Sequence, residues 1–369
     1  MPATTTGPGS PAVTSDRAVP IAGMARSYLD ELPLVAAGRP PPTRASLRMK
    51  AIAINDFGGP EQLQLVERPM PPITDEQVLV AVRVAAVNPI DWRIRQGQLK
   101  QFVPYEFPAI LGREVSGVVA QVGAAVRGFA VGDAVFGFLQ QRLMHWGGYA
   151  EYVPIEAAKL AHKPESLSFE QAAALPVAGH TAWQSLFEVA KLQPGEVVLI
   201  TGAAGGVGSL AVQLACHAGA TIIASASPAN HDFVRDLGAA LVVDYQAPDF
   251  AATIAARFPA GVDVILAAFA GVSLQGARPL VHEGTRIVLL SPVATEQDMQ
   301  IGPVSSQILI ARADGAQLEQ IAQLAVQGRL RPQIAAVLPL EQAARAHAMS
   351  ESHHTRGKIL LRVAPDDPA

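Results

Sequence analysis

The sequence predicts an α/β chain in which a doubly wound parallel sheet is joined to a second, β-rich part. Two observations in the second half predict the sheet. Apolar runs at 197–201, 221–226, 241–244, 262–267 and 286–291 begin 24, 20, 21 and 24 residues apart. Helical patterns lie between them, for example Val207, Ala211, Leu214 and Ala215. This is βα repetition, and near-continuous apolar strands are what a sheet covered on both faces requires. The first half predicts the β-rich part, with Val-, Ile- and Ala-rich strands cut by prolines and glycine turns and no such rhythm.

Residues 1–48 are rich in Pro, Ala, Thr and Gly and show no apolar periodicity, so a disordered, dispensable extension is expected. Residues 50–55 and 78–87 read as strands separated by Pro69, Pro71 and Pro72. Residues 115–135, with a turn at Gly132-Asp133, read as short antiparallel strands, and Gly147–Val153 as another. The βα series follows. Residues 315–327 are helical in pattern, and Lys358–Val363 is a last strand. That strand would not extend the series, so it is expected to return to the first part.

Half of the 369 residues are hydrophobic and 16% are charged, ample for a sizeable core. Lys and Arg total 28 against 32 Asp and Glu, a net charge of −4. Such weak acidity provides no field for nucleic acid or anionic lipid. Cys216 is the one cysteine, which excludes an intramolecular disulfide framework and a cysteine-cluster metal site and points to a reducing compartment, the cytoplasm. Residues 197–231 carry no Asp, Glu, Lys or Arg, but five glycines interrupt them, so they read as strand, turn, helix and strand rather than a membrane span.

Val197–Thr201 runs into Gly202-Ala203-Ala204-Gly205-Gly206-Val207-Gly208 and then a helix. Glycines let backbone N–H groups approach a pyrophosphate, and the helix N-terminus adds partial positive charge there. A strand, a glycine turn and a helix within a βα series therefore predict a dinucleotide site. The next strand ends Ala224-Ser225-Ala226-Ser227-Pro228, with no carboxylate before Asp232. A 2′-phosphate would meet hydroxyls there rather than a like charge, so NADPH is the expected cofactor. No Lys or Arg lies nearer in sequence than Arg235, with His231 as a possible helper.

Several motifs stand in one order: Val87-Asn88-Pro89-Ile90-Asp91, Gly112-Arg113-Glu114-Val115-Ser116-Gly117-Val118-Val119, Gly132-Asp133-Ala134-Val135, Ala173-Ala174-Leu175-Pro176 with Thr181-Ala182, the glycine turn, and Gly357-Lys358. Over about 49–363 the chain resembles the zinc-free quinone oxidoreductase branch of the medium-chain dehydrogenase/reductase superfamily. The resemblance implies a discontinuous GroES-like β-rich catalytic domain (49–171 and 300–363), a Rossmann NADP(H)-binding domain (172–299) and a tail (364–369). It implies hydride transfer from NADPH to a quinone or to the C=C bond of an enone or enal. It places Asn88 and Thr181 near the nicotinamide, Ala204, Gly205, Gly206 and Val207 around the pyrophosphate, Ser227 at the 2′-phosphate and Tyr245 by the adenosine. Asn88 and Arg113 fill places where metal-dependent relatives carry zinc ligands, and neither is an effective one, so no metal is expected. The chain departs from the family at Ala267, where an acid is usual, and carries Trp92 and Arg93 where some relatives have a tyrosine.

Hydride transfer needs mainly geometry in a dry cleft, plus a proton that water can supply. Asp91 either orients such a water or caps the helix after Pro89. Arg93 and Arg95 either polarise a carbonyl or lie on the surface. His180 is either near the cofactor or a satisfied core histidine. His145-Trp146 either lines the cleft or belongs to a loop, His353-His354 reads as a solvated loop, and Cys216 reads as part of a buried helix face. Two rival functions remain: an enoyl-thioester reductase of lipid or polyketide synthesis, and a low-turnover NADPH-binding protein of regulation or assembly, which Ala267 favours. A homodimer is expected, pairing 286–291 and Ile308-Leu309-Ile310 across a two-fold axis.

Overall fold

A computed structural model describes residues 47–141, 143–268, 272–290 and 296–364. The extension expected over 1–48 lies outside them except for Leu47 and Arg48, and so does the tail except for Ala364.

The chain opens with β1 (Arg48–Ile54), β2 (Gln64–Pro69) and β3 (Gln77–Val87), followed by helix α1 (Pro89–Arg95). Strands β4 (Ala109–Ile110), β5 (Glu114–Val122), β6 (Ala134–Phe138), β7 (Tyr152–Glu156) and β8 (Leu160–His162) complete the first stretch. Helix α2 (Pro176–Trp183) leads to the alternating series β9 (Val197–Thr201), α3 (Gly206–His217), β10 (Thr221–Ser225), α4 (His231–Asp236), β11 (Leu241–Val243), α5 (Phe250–Arg257), β12 (Val264–Ala267) and β13 (Arg286–Leu289). Short strands β14 (Gln300–Ile301), β15 (Val304–Ser305) and β16 (Gln307–Ile308) precede α6 (Gly315–Val326), β17 (Ile334–Pro339), α7 (Ala343–Glu351) and β18 (Lys358–Arg362).

The series builds one parallel sheet in the order β11-β10-β9-β12-β13-β16. Its middle strands are buried on both faces: Val198, Leu199, Ile200, Val264, Ile265 and Leu266 are all 0% exposed. That is why they read as continuous apolar runs. The order reverses at β9, with β10 on one side and β12 on the other. A crevice opens beyond the C-terminal ends of such strands. The second sheet runs β17-β18-β3-β5-β6-β8. Strand β18 returns from the end of the chain and pairs antiparallel with β3, Leu360 facing Ala86, as its position after the series predicted.

Four expectations are corrected. Strand β16 pairs parallel with β13, and Leu318 and Ile321 of α6 share a core with Ile200 and Leu210. By pairing and packing, residues 307–326 therefore go with the parallel sheet rather than with a catalytic piece beginning at 300. Because β16 covers β13, the sheet edge is 307–308, not 286–291. The strand expected at 147–153 is β7, displaced toward the C-terminus, because Gly147 packs against the Ile110 and Leu111 carbonyls and the Gly148 N–H bonds to the Gly112 carbonyl instead. Cys216 is exposed, lying past the buried stripe of α3 that ends at Ala215.

Candidate active site

The glycine turn at the end of β9 is held by backbone contacts. A Cβ on Gly208 would lie 2.2 Å from the Gly202 carbonyl oxygen, so only glycine lets α3 start flush against the turn. The Gly357 N–H donates to the Ala204 carbonyl at 2.9 Å, tying the turn to the strand that returns to the other sheet. A cavity of about 500 Å³ runs along this junction. Of the expected residues, Asn88, Ala204, Gly205, Gly206, Val207, Ser227 and Tyr245 line it. Thr181 and Asp91 do not: the Thr181 hydroxyl donates back to the Val177 carbonyl at 2.6 Å, and the neighbouring Ala178 supplies the wall.

At one end, the Asn230 amide donates to the Ser227 hydroxyl at 3.0 Å. Arg356 reaches the same place from the C-terminal segment, its Nε 2.7 Å from Asn230 Oδ1 and its Nη2 2.9 Å from the Ala229 carbonyl oxygen. Sequence reasoning missed this cation because 126 residues separate it from Asn230. Arg235, nearer in sequence, is paired at the surface with Asp232. The Ser225 hydroxyl, on the cavity wall, is buried without a hydrogen-bond partner among the described residues.

At the other end stands a buried trio. Lys358 Nζ is 2.5 Å from both Asn88 Oδ1 and Glu114 Oε1, the Asn88 amide donates to Glu114 Oε1 at 2.8 Å, and Val177 N–H donates to Glu114 Oε2 at 2.6 Å. Glu114 is 0% and Lys358 5% exposed. Taking one charge from such a pair leaves the other uncompensated, a cost of about 3–5 kcal/mol. Both residues lie in the motifs quoted above, but their pairing joins β5 to β18, which no local pattern shows.

Asp91 takes up both its expected helix-capping position and a further network. Its Oδ2 accepts from the Asn88 N–H at 2.8 Å and from the Tyr149 hydroxyl at 3.1 Å. Tyr149 is 3.1 Å from His347 Nε2, and Arg95 Nη1 is 3.2 Å from His347 Nδ1. A guanidinium only donates, so Nδ1 accepts, Nε2 carries the proton, and every donor in the chain Arg95, His347, Tyr149 points toward Asp91. Burial pushes Asp91 up to about 6, and burial with the Arg95 charge pushes His347 down to about 3. Arg95 is thus 0% exposed, not on the surface, because Glu351, His347 and the Gly58 carbonyl satisfy it. His180 is a satisfied core histidine, held by the Pro176 carbonyl at 2.6 Å and by the Asp314 backbone. His145 contacts the Glu106 carbonyl at 3.0 Å, while His353 and His354, read as a solvated loop, line the cavity.

A crevice at a topological switch point, a glycine turn at its floor and polar groups at both ends define a nicotinamide-dinucleotide-dependent oxidoreductase. Residues 74–165 match the family model of the alcohol dehydrogenase GroES-like domain, and residues 237–361 that of zinc-binding dehydrogenases. The chain belongs to the medium-chain dehydrogenase/reductase superfamily, among the quinone oxidoreductases. It is 32% identical to a chloroplast envelope quinone oxidoreductase homolog of Arabidopsis thaliana, over 85% of this chain and 98% of that protein. It is 32% identical to the NADPH-dependent alkenal/one oxidoreductase of the same plant, over 86% and 80%. It is 37% identical to the polyketide synthase GfsB of Streptomyces halstedii, over 80% of this chain but 5% of that protein. The structure of the quinone oxidoreductase from Coxiella burnetii, 34% identical, superposes with a TM-score of 0.79 over 86% of this chain and all of that one.

Proposed function

We propose that this chain is an NADPH-dependent, metal-free reductase of quinones or of the C=C bond of α,β-unsaturated carbonyls. The observation that carries it is the cavity joining the glycine turn to Asn88 and Lys358 at one end and to Ser227 and Asn230 at the other, where Arg356 is bonded to Asn230. The residues fit a dinucleotide: the turn brings backbone to the cavity wall, and the buried Ser225 hydroxyl is an unspent polar group there. When bound, NADPH supplies a hydride. Ala204, Gly205, Gly206 and Val207 hold the diphosphate, Asn88 and Lys358 position the nicotinamide end, and Tyr245 flanks the adenosine. Thr181 supports that wall from α2 rather than touching the ligand. Ser227, Asn230 and Arg356 receive the 2′-phosphate, where no carboxylate opposes it. Asp91 positions Asn88 through the backbone bond already described.

The donor set does not fit zinc. The Asn88 amide is spent on Glu114 and Lys358, Arg113 is a cation, and no group of three His, Cys, Asp or Glu suited to a metal stands among the described residues. Among these residues no helix is long and apolar enough to cross a membrane. We place the protein in the cytoplasm, as a homodimer acting on a small molecule without nucleic acid or membrane partners.

The test is NADPH consumption against a panel of quinones, enals and enoyl thioesters, with zinc measured by elemental analysis. Turnover with quinones or enals at negligible zinc is expected. The match to part of a polyketide synthase favours one second reading, an enoyl-thioester reductase, which turnover confined to thioesters would establish. Tight NADPH binding with no oxidation across the panel would instead mark a low-turnover binding protein. Arg356→Gln is expected to raise KM for NADPH about tenfold while leaving NADH nearly unchanged, since a charge-assisted phosphate contact contributes on the order of 1.5 kcal/mol. An equal effect on both cofactors would refute the 2′-phosphate role.

A further inference from the structure

Beside Asp91, three buried polar atoms have no hydrogen-bond partner among the described residues: Asp91 Oδ1, Arg113 Nε and Tyr105 Oη. Buried polar groups are nearly always satisfied, so three unspent atoms in one neighbourhood mark a place shaped for something else. They are neighbours. Arg113 acts electrostatically on both Asp91 and Tyr105. Arg113 Nη1 contacts Met144 Sδ at 3.9 Å, and the Met144 backbone brackets Tyr105 through bonds to Pro104 and Glu106. The guanidinium also lies 5.8 Å from the Phe138 ring centroid. Asp91 in turn is bonded to the N–H of Asn88, which lines the cavity.

We propose that Arg113 binds the oxygen of the electron acceptor, its Nε–H donating to a carbonyl oxygen that gains negative charge as hydride arrives at the acceptor carbon. The proposal rests on the reductase reading above. The two electrons of the hydride form the new C–H bond, the π electrons of the acceptor move onto its oxygen, and a proton from water completes the product. A donor already aimed at the developing charge stabilises that state more than the neutral carbonyl. The Asp91 carboxylate offsets the guanidinium before reaction, so the buried cation is compensated until charge develops on the acceptor oxygen. Its Oδ2 is held by Asn88 and Tyr149, which leaves Oδ1 without a hydrogen-bond partner among the described residues. The surroundings suit an apolar acceptor body: Tyr105 packs on Phe57 and stacks on Phe107, and Phe107 and Leu143 are partly exposed beside them. Tyr105 offers a second, neutral donor to the same oxygen.

The test compares Arg113→Gln and Arg113→Lys with the wild type. Three quantities are read: kcat/KM for benzoquinone and cinnamaldehyde, the Kd for NADPH, and binding of 4-nitrophenolate by its absorbance shift. Loss of the guanidinium is expected to lower kcat/KM about 100-fold, as for loss of one oxyanion donor, with NADPH affinity unchanged. Arg113→Lys is expected to recover part of the loss, and nitrophenolate binding should vanish only in the Gln variant. A Gln variant within about threefold of wild type, or one losing NADPH affinity in parallel, would overturn the proposal. If the wild type oxidises NADPH with neither acceptor, the reductase reading fails. The nitrophenolate comparison then still decides whether Arg113 is an oxygen site: retained binding in the Gln variant removes it, and lost binding supports it.

Discussion

Asp91 and His347 stand in one hydrogen-bonded chain yet answer acid in opposite directions. Asp91 is carried from 3.8 to about 6 in the native state, so the folded protein binds its proton more tightly than the unfolded chain does. Its contribution to stability is fully present below 3.8 and is lost as pH rises through about 6, a difference on the order of 3 kcal/mol. His347 is held neutral, its value lowered from 6.5 to about 3, so the unfolded chain takes up its proton first. Its contribution is lost as pH falls below 6.5. Between pH 6 and pH 4 the two slopes oppose one another. Thermal melts should therefore show Asp91→Asn losing stability on acidification more steeply than wild type, and His347→Gln less steeply. Parallel curves for all three proteins would refute the assigned environments. None of this was visible along the chain, where Asp91 and Arg95 each had two open readings. Partners 252 and 256 residues away satisfy Arg95.

At the scale of elements, the junction of β9 and α3 carries a strict local requirement. A methyl on Gly208 meets the Gly202 carbonyl oxygen at 2.2 Å and the Ala203 Cα at 2.7 Å, both backbone atoms that cannot rotate away. Gly208→Ala should lower stability by about 1–3 kcal/mol through overpacking and weaken NADPH binding, because the turn must open. A calorimetric titration and a melt check both, and unchanged values would exclude a rigid turn. This element was legible because strand, turn and helix are written in consecutive residues. Strand β18 was legible for a related reason: a strand after the last helix that does not continue the βα rhythm has to pair elsewhere, and it lies against β3. The short strand β16 was not, since two paired residues, Gln307 and Ile308, carry no period.

For the whole molecule, one edge of the parallel sheet is β16, which carries Ile308 and is followed by Ile310, at 41% and 76% exposure. An exposed apolar edge strand is a template for pairing, and a second copy related by a two-fold axis satisfies it on both chains. The molar mass in solution should be that of a dimer, and Ile310→Lys should shift it toward the monomer. A monomeric wild type would refute the pairing. The Met70 N–H donates to the Leu47 carbonyl at 3.1 Å, so residue 47, inside the extension expected over 1–48, already bonds to the residue that follows β2. Removing residues 1–46, whose sequence shows no apolar periodicity, should leave turnover within about twofold. A collapse in activity would show that the extension takes part in the fold or the site.

What the sequence by itself determined was periodic or contiguous: the apolar βα series, the glycine turn, the absence of a carboxylate after β10, and motifs that carry the family. Such features survive in one dimension because each residue's role depends on near neighbours. Tertiary structure alone decided which charges are buried and paired. Arg95 comes to Glu351 and Lys358 to Glu114 from distant parts of the chain. An ion leaves water only where another group compensates it, and that partner is chosen by the path of the folded backbone, not by spacing along it.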